Sequence, residues 1–456
     1  MEKRLLKRLR KLSEKVILHK SLVVHQISED EAEQRAYYRL LQNKRMSVEQ
    51  LGRQLIQDCQ RQVKPGAHYL IFQDTTQPNL ERKREQIKDK SGLGVIGDNA
   101  SLGFFLHPAL VMEADTYRSI GYSYIKIWSR NGEKAKCKER AYKSEPIESK
   151  ESYRWLDCVE KSRGVLSQAG LLTVVSDREG DIYEVLDRLP DEQTHVLVRS
   201  NASRKVLTPQ GQSQVIKSYI QSQALCGTYS LKVVADARKK RQGREALMEV
   251  RIGPCNLLAP QRLGTGIAPS TQLYVIQAKE SAKSCPEGEK PIEWILTTTH
   301  TVENLEDAMR VIHYYQGRWN AEQVFRLSKR KGLDIEQSDL ESGQAILKMA
   351  LLAIFAAAKI ITLHQASKKK EPIPVEKTIT LEQKRCLAQV GKRVEGRTKK
   401  QKNPYPADTL QWVYWIIARL GGWKPHEKQA GVVVLFRGWQ RFSQIFEGWS
   451  LAQDVS

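Results

Sequence analysis

The residues with the most chemical potential in this 456-residue chain lie in the stretch YYQGRWNAEQVFRLSKRKG, Tyr314 to Gly332. Placed on one helix at about 100° per residue, Tyr315, Arg318, Glu322 and Lys329 fall within an arc of roughly 60°. One face then carries a phenol, two cations and a carboxylate, a combination able to hold a metal and grip phosphates. Taken alone, the stretch reads first as a solvated face with an ordinary Arg318–Glu322 ion pair. Two upstream aspartates change that reading. Asp74 ends the apolar run of HYLIFQDTT, and Asp177 ends that of LLTVVSDREGDIY. Both therefore stand at the carboxyl ends of predicted buried strands, where open α/β sheets gather their ligands. A single such aspartate is usually a turn former. Two aspartates and a helix-borne glutamate are the kind of set that two-metal phosphodiester chemistry requires, with metals about 3.5–4 Å apart.

The elements that must position these residues follow in chain order. Residues 1–62 read as helical. Leu5, Leu6, Leu9, Leu12 and Val16 form an apolar stripe among Lys and Arg, and Ser47 with Gln50 forms a capping box. This region serves as an amphipathic support or as a DNA-contacting arm. LGFFLHPALVMEA and YRSIGYSYIKIW predict a hairpin, SYRWLDCVEKSRGVLSQ a helix, and a further helix is expected near Asp181. Residues 200–290 carry strands between Gly- and Pro-rich loops, and read as a β-rich insertion apart from the main sheet. PIEWILTTT resumes the strand pattern. Beyond the organising helix come an apolar helix, a basic linker and a helical tail rich in tryptophan. The expected domains are 1–62, 63–366 as the catalytic core, and 367–456.

Composition narrows the partners. Lys and Arg number 74 against 52 Asp and Glu, a formal charge of +22. That excess points to a polyanion, nucleic acid before membrane. The longest apolar run, Met349 to Ala358, is too short to span a bilayer. Seven scattered cysteines with no C-x-x-C, and no H-E-x-x-H, argue against a disulfide framework or a zinc site. A metal held by carboxylates would be Mg²⁺ or Mn²⁺. No secretory segment is read at the start, which fits a cytoplasmic location.

The chain resembles bacterial insertion-sequence DDE transposases of the Tn-five type, in the IS-four superfamily. Tyr315, Arg318, Glu322 and Lys329 reproduce that family's Tyr-(x2)-Arg-(x3)-Glu-(x6)-Lys signature. FQDTT and VSDREGDIY resemble its two aspartate motifs, IEWILTTT the strand before its third motif, and LQWVYWIIARLGGW its C-terminal region. The resemblance runs from about residue 30 onward. It implies an α/β fold with an RNase H-like catalytic core, a β-rich insertion, and helical N- and C-terminal regions. It also implies cut-and-paste transposition of a transposable element: nicking of transposon ends, hairpin formation and opening, and strand transfer. Asp74, Asp177 and Glu322 would bind two Mg²⁺ or Mn²⁺ ions. Tyr315, Arg318 and Lys329 would grip DNA phosphates, with Arg178 and Arg199 as further contacts. Trp294 would hold a flipped base. The implied partners are double-stranded DNA, as transposon ends and target, and a second copy in a homodimeric synaptic complex, with no membrane. The implied location is the bacterial nucleoid. Family members open with a longer end-binding domain, so the start MEKRLLKRL is expected to be truncated. The alternatives are a regulatory form without end binding and an RNase H-like nuclease.

Overall fold

The computed structural model describes residues 3–19, 21–131, 145–235, 241–261, 263, 267–329, 332–375, 378–426 and 429–454. Helices α1 (Lys3–His19), α2 (Val24–Ile27), α3 (Glu31–Gln42) and α4 (Val48–Gln60) precede strand β1 (His68–Gln73). The short pair β2 (Gly94–Val95) and β3 (Leu102–Gly103) leads into β4 (Phe105–Glu113) and β5 (Ser119–Trp128). Next come α5 (Arg154–Val165), β6 (Leu171–Ser176), α6 (Tyr183–Arg188) and β7 (Thr194–Arg199). The insertion follows with β8 (Lys205–Leu207), β9 (Ser213–Val215), α7 (Ile216–Gln221), β10 (Leu225–Val233), β11 (Arg244–Leu258) and β12 (Ser270–Glu280). Strand β13 (Glu293–Thr298) precedes α8 (Leu305–Gly317) and α9 (Trp319–Lys329). Helices α10 (Gly343–Ala366), α11 (Leu381–Val394), α12 (Leu410–Leu420) and α13 (Val432–Asp454) complete the chain. The protein is thus a mixed α/β fold, with a large mixed sheet and helical N- and C-terminal regions. Parallel β1, β6 and β7, with the antiparallel hairpin β4–β5 encoded between the first two, are the strand set of an RNase H-like core.

Two compact units divide the chain, each built from separated segments. The first combines Met1–Val63, Thr75–Lys134 and Trp319–Ser456; the second combines Lys64–Asp74 and Ala135–Arg318.

The second unit is the sheet unit. Its strand order is β1-β6-β7-β13-β12-β11-β8-β9, with β10 also paired to β11. Strands β1 and β6 are buried after their first residue, as expected of parallel strands covered on both faces. The insertion was expected to stand apart from this sheet, and it does not. Strand β13 pairs antiparallel with β7, β12 with β13, and β11 with β12 from Met248–Glu280 to Leu258–Ser270. An unpaired edge on β13 would leave a row of backbone donors and acceptors open, and the insertion supplies their partners. The helix expected near Asp181 begins at Tyr183, after a 3₁₀ turn at Arg178–Gly180.

The stretch Tyr314–Gly332 is not one helix. Helix α8 ends at Gly317, and Arg318 donates its backbone N–H back to the Tyr315 carbonyl at 3.0 Å, a tight i−3 bond. Glycine is the residue here that holds a helix interior least well, by about 1 kcal/mol against alanine. Tyr315 therefore lies in α8, Arg318 at the junction, and Glu322 and Lys329 in α9. The arc drawn for a single helix does not describe these four residues.

In the first unit, α10 is apolar around its whole circumference and nearly all of it is buried, as a core helix must be. By length and composition it could cross a membrane, yet its surface is spent on packing. Lys348, 3% exposed, donates to the carbonyls of Leu41 and Asn43 at the C-terminal end of α3. Lys15 joins α1 to α13 through Glu447 at 2.8 Å, and also pairs with Glu29. The capping box at Ser47 and Gln50 is present. The region read as a basic linker contains α11, which opens with its own capping box from Thr380 and Gln383.

At the amino ends of the parallel strands, the sheet unit holds a hydrogen-bonded polar network. Thr173 Oγ1 lies 2.8 Å from both His68 Nε2 and His300 Nε2, so it donates to one imidazole and accepts from the other. His195 stacks on His300 at 4.0 Å and bonds Thr299 Oγ1 at 3.2 Å. Burial, then the neighbouring His195, His68 and Arg310, push the His300 pKa from 6.5 to about 3. The unfolded chain takes up a proton near pH 6.5 that the folded chain refuses until about pH 3. Stability from this group is complete above pH 6.5 and is lost as pH falls through that window. His300→Gln is expected to flatten the dependence of the urea midpoint on pH there by up to about one proton. An unchanged slope would refute the assignment.

Candidate active site

The register of the parallel pair sets the geometry of the two aspartates. Phe72 of β1 is paired with Val175 of β6, and Asp74 and Asp177 each follow two residues later. The two carboxylates are therefore level, one at each strand end. Between them stands Arg318. Its Nη1 donates to Asp74 Oδ2 at 3.2 Å and lies 4.0 Å from Asp177 Oδ2. Those two distances cap the separation of the carboxylate oxygens at their sum. Side-chain exposure is 11% for Arg318, 18% for Asp74 and 35% for Asp177, so the cluster is shielded but open on one side.

Local turns orient the acids. Asp177 Oδ1 accepts the backbone N–H of Glu179 at 3.0 Å, which leaves Oδ2 facing the guanidinium. Gly180 closes this turn against Ser176; a Cβ there would collide with Ser176 Oγ and press on Trp155. Trp294 and Tyr315 adjoin the cluster. The Tyr315 ring lies 6.0 Å from the Arg318 guanidinium, and Trp294 meets that ring edge-on at 5.9 Å. Tyr315 is buried, and burial raises its pKa against the opposing pull of Arg318 and Arg199. Arg199 donates to the Glu293 carbonyl at 3.3 Å, across β7 and β13. Trp294 itself is half-buried, neither a sealed core ring nor a fully exposed one.

The sheet unit thus brings together Asp74, Asp177, Arg318, Tyr315, Arg199 and Trp294. Arg178, next to Asp177, is exposed in the 3₁₀ turn. Glu322 and Lys329 belong to the other unit. There Glu322 is half-buried on α9, and Lys329 donates to the Gln77 carbonyl at 2.9 Å. The insertion also contains the basic run RKKRQGR, Arg238–Arg244, of which residues 238–240 lie outside the described residues. Arg244 is held by Glu280 and Glu289 at 2.7 and 2.6 Å, so it braces the insertion.

The donor set consists of carboxylate oxygens, which suits a hard divalent cation better than zinc or copper. Among the described residues, no three His, Cys, Asp or Glu side chains form a group that could hold a metal by themselves. The pair Asp74 and Asp177 instead shares one guanidinium, a positive charge where a cation would be attracted. With Arg199 nearby, Asp74, Asp177 and Arg318 form a partly desolvated cluster of opposite charges beside the Tyr315 ring.

Sequence reading passed over a structural pair beside this cluster. Asp181, with its side chain 3% exposed, pairs with Arg204 at 3.0 Å and accepts the Asn201 N–H at 2.7 Å. The second aspartate in VSDREGDIY therefore ties the Asp177 loop to the start of the insertion. The signal available was that second acid, but its cationic partner lies 23 positions away.

Residues 153–359 match the family described as "Transposase DDE domain". The span includes Asp177, Trp294, Tyr315, Arg318, Glu322 and Lys329, and begins after Asp74. Among solved structures, the chain is similar to piggyBac transposase in a synaptic complex with hairpin DNA. That likeness has a TM-score of 0.36 and 11% identity, over 81% of this chain and 68% of the other.

The geometry separates the two neighbouring aspartates by role. Asp181→Ala is expected to lower stability by about 2–3 kcal/mol, because it strands a shielded guanidinium and a backbone donor. Asp177→Ala, at the more exposed acid, should cost much less. Urea unfolding of both variants checks this, and equal stability for Asp181→Ala and the parent would dismiss the clamp.

Proposed function

We propose that this protein is a DNA transposase that cuts and rejoins phosphodiester bonds by cut-and-paste transposition, of the bacterial insertion-sequence Tn-five type. The observation that carries the reading is the convergence of Asp74 and Asp177 on Arg318, the arginine of the Tyr-Arg-Glu-Lys stretch. The match of residues 153–359 to a transposase DDE domain supports it from a separate direction.

In this reading Asp74, Asp177 and Glu322 hold two divalent ions, Mg²⁺ or Mn²⁺. When bound, such ions supply activation of the attacking oxygen and stabilisation of the leaving oxygen. The protein's own side chains do the positioning. Arg318, already shared by two carboxylates, offsets their mutual repulsion and sets a positive charge where a phosphate would be held. Lys329 and Tyr315 add a point charge and a phenolic donor for the same strand. Arg178 and Arg199 extend the phosphate contacts on either side. Trp294 stacks on an unpaired base as a hairpin forms at the cut end. Unstacking costs a few kcal/mol, which an aromatic platform partly offsets. The partners are the double-stranded transposon ends and target DNA, with a second copy of the chain in the synaptic complex. The setting is the bacterial cytoplasm, at the nucleoid.

The test is a time course of nicking and hairpin formation on an end-containing duplex with magnesium. Asp74→Ala, Asp177→Ala and Glu322→Ala should each abolish nicking and leave DNA binding largely intact. Nicking at the parent rate by any of them removes that residue from the site. Trp294→Ala should spare the first nick and slow hairpin formation by about 5–150-fold, the rate equivalent of about 1–3 kcal/mol of stacking. Equal loss of both steps with a lowered melting point would make Trp294 a packing residue only.

A further inference from the structure

The C-terminal helices carry a charged surface that the proposed chemistry does not use. Helix α11 buries Cys386, Leu387, Val390 and Gly391. Gly391 packs where a Cβ would stand 3.1 Å from Ile416 of α12, so the backbone lies close to its neighbour. The opposite face exposes Arg385, Ala388, Gln389, Lys392 and Arg393. Beyond the helix the chain does not trail away. Gly396 N–H bonds the Gln401 carbonyl at 3.2 Å, and Asn403 bonds both Glu395 Oε1 and the Trp412 carbonyl. This ordered turn exposes Arg397, Lys399 and Lys400 beside the end of α11.

The cations of this platform fall into two groups. Lys384 is neutralised by Asp408 at 2.8 Å and Lys402 by Glu395 at 3.2 Å. Arg385, Lys392, Arg393, Arg397, Lys399 and Lys400 have no ion-pair partner among the described residues. Like charges gathered on one rigid surface repel, and folding gains nothing from the arrangement. Cations near a helix C-terminus do favour the helix dipole, but that accounts for the last turn only. It does not account for Arg385 in the second turn, or for the turn after the helix. Arg385 to Arg393 spans about 12 Å of helix, the axial length over which one DNA strand presents three or four phosphates. The small residue Ala388 midway lets a backbone approach.

We infer that the exposed face of α11 and the turn after it form a second DNA-binding surface, which holds double-helical DNA by its phosphates without regard to sequence. The choice of DNA over another polyanion rests on the function proposed above; the surface itself does not. A protein that must hold a donor and a target duplex needs cationic surface beyond its reacting centre, and this platform provides it.

The experiment measures binding of an arbitrary-sequence duplex to the full chain, without divalent metal, over a range of salt concentrations. Metal-free conditions exclude cleavage, so failure of the proposed chemistry would leave the result unaffected. Two triple variants are compared with the parent: R385Q/K392Q/R393Q on the helix and R397Q/K399Q/K400Q on the turn. Each should weaken binding and reduce the log–log salt slope by about 2.7, from about 0.9 per phosphate contact. The charge-conserving R385K/R393K should keep the parent slope. The turn variant alters exposed residues only, so it reports on the surface even where the helix variant is less stable by melting. Parent-like slopes in both triple variants would overturn the inference. Loss of binding to single-stranded RNA or heparin with duplex binding unchanged would overturn the assignment to DNA.

Discussion

Two carboxylates held side by side repel, and Arg318 is the charge that allows Asp74 and Asp177 to stay together. Its Nη1 is within 4.0 Å of both acids, and it reaches them from the tight turn that closes α8. Much of the local structure serves that meeting. The parallel register of β1 and β6 keeps the acids level. The Asp177 turn aims one oxygen inward, and the close fit of Gly180 against Ser176 keeps that turn small. The Tyr315 ring lies beside the guanidinium, and Trp294 packs edge-on against that ring; the Arg318 side chain is 11% exposed. In such a setting a charge interaction is stronger than at an open surface.

The same strands carry opposite chemistry at their two ends. Beyond the carboxyl ends of β1 and β6 lie acids and a base. At the amino ends, His68, Thr173, His195, Thr299 and His300 form a chain of hydrogen bonds and a ring stack. Burial keeps His300 neutral, and hydrogen bonds and ring packing hold it in place. Polar groups can be buried there because nearly every one has a partner. The sheet thus carries hydrogen-bonded imidazoles at one end and paired charges at the other.

Within the helical unit, α10 plays the part that the sheet plays in the other unit. It is buried almost throughout, and Lys348 fastens it to the end of α3. Trp415 and Trp439 of the tail are core residues. Trp412 and Trp449 are half-buried, and Ile445 and Leu451 on α13 are exposed. The division of labour is physical: apolar surface is spent on α10 and α12, and charge is left on α11.

The sequence by itself determined the elements and the identity of the acids. Short apolar runs ending in Asp74 and Asp177 gave both strand ends, because a buried parallel strand needs a continuous apolar stretch. The hairpin, the capping box at Ser47 and the core helix were legible from local pattern. Arg318 and Tyr315 were legible from spacing, although for a helix that turns out to be divided at Gly317. Only the tertiary structure decided what those residues meet. That Arg318 serves two carboxylates depends on partners 244 and 141 positions away, beyond the reach of any periodicity. The insertion joined the sheet because an open edge on β13 demanded backbone partners, and such bonds are blind to side-chain identity. Asp181 found Arg204, and three histidines found two threonines, for the same reason. Local pattern fixes conformation, whereas charge and hydrogen-bond partners are chosen by whatever the fold brings within about 3–4 Å.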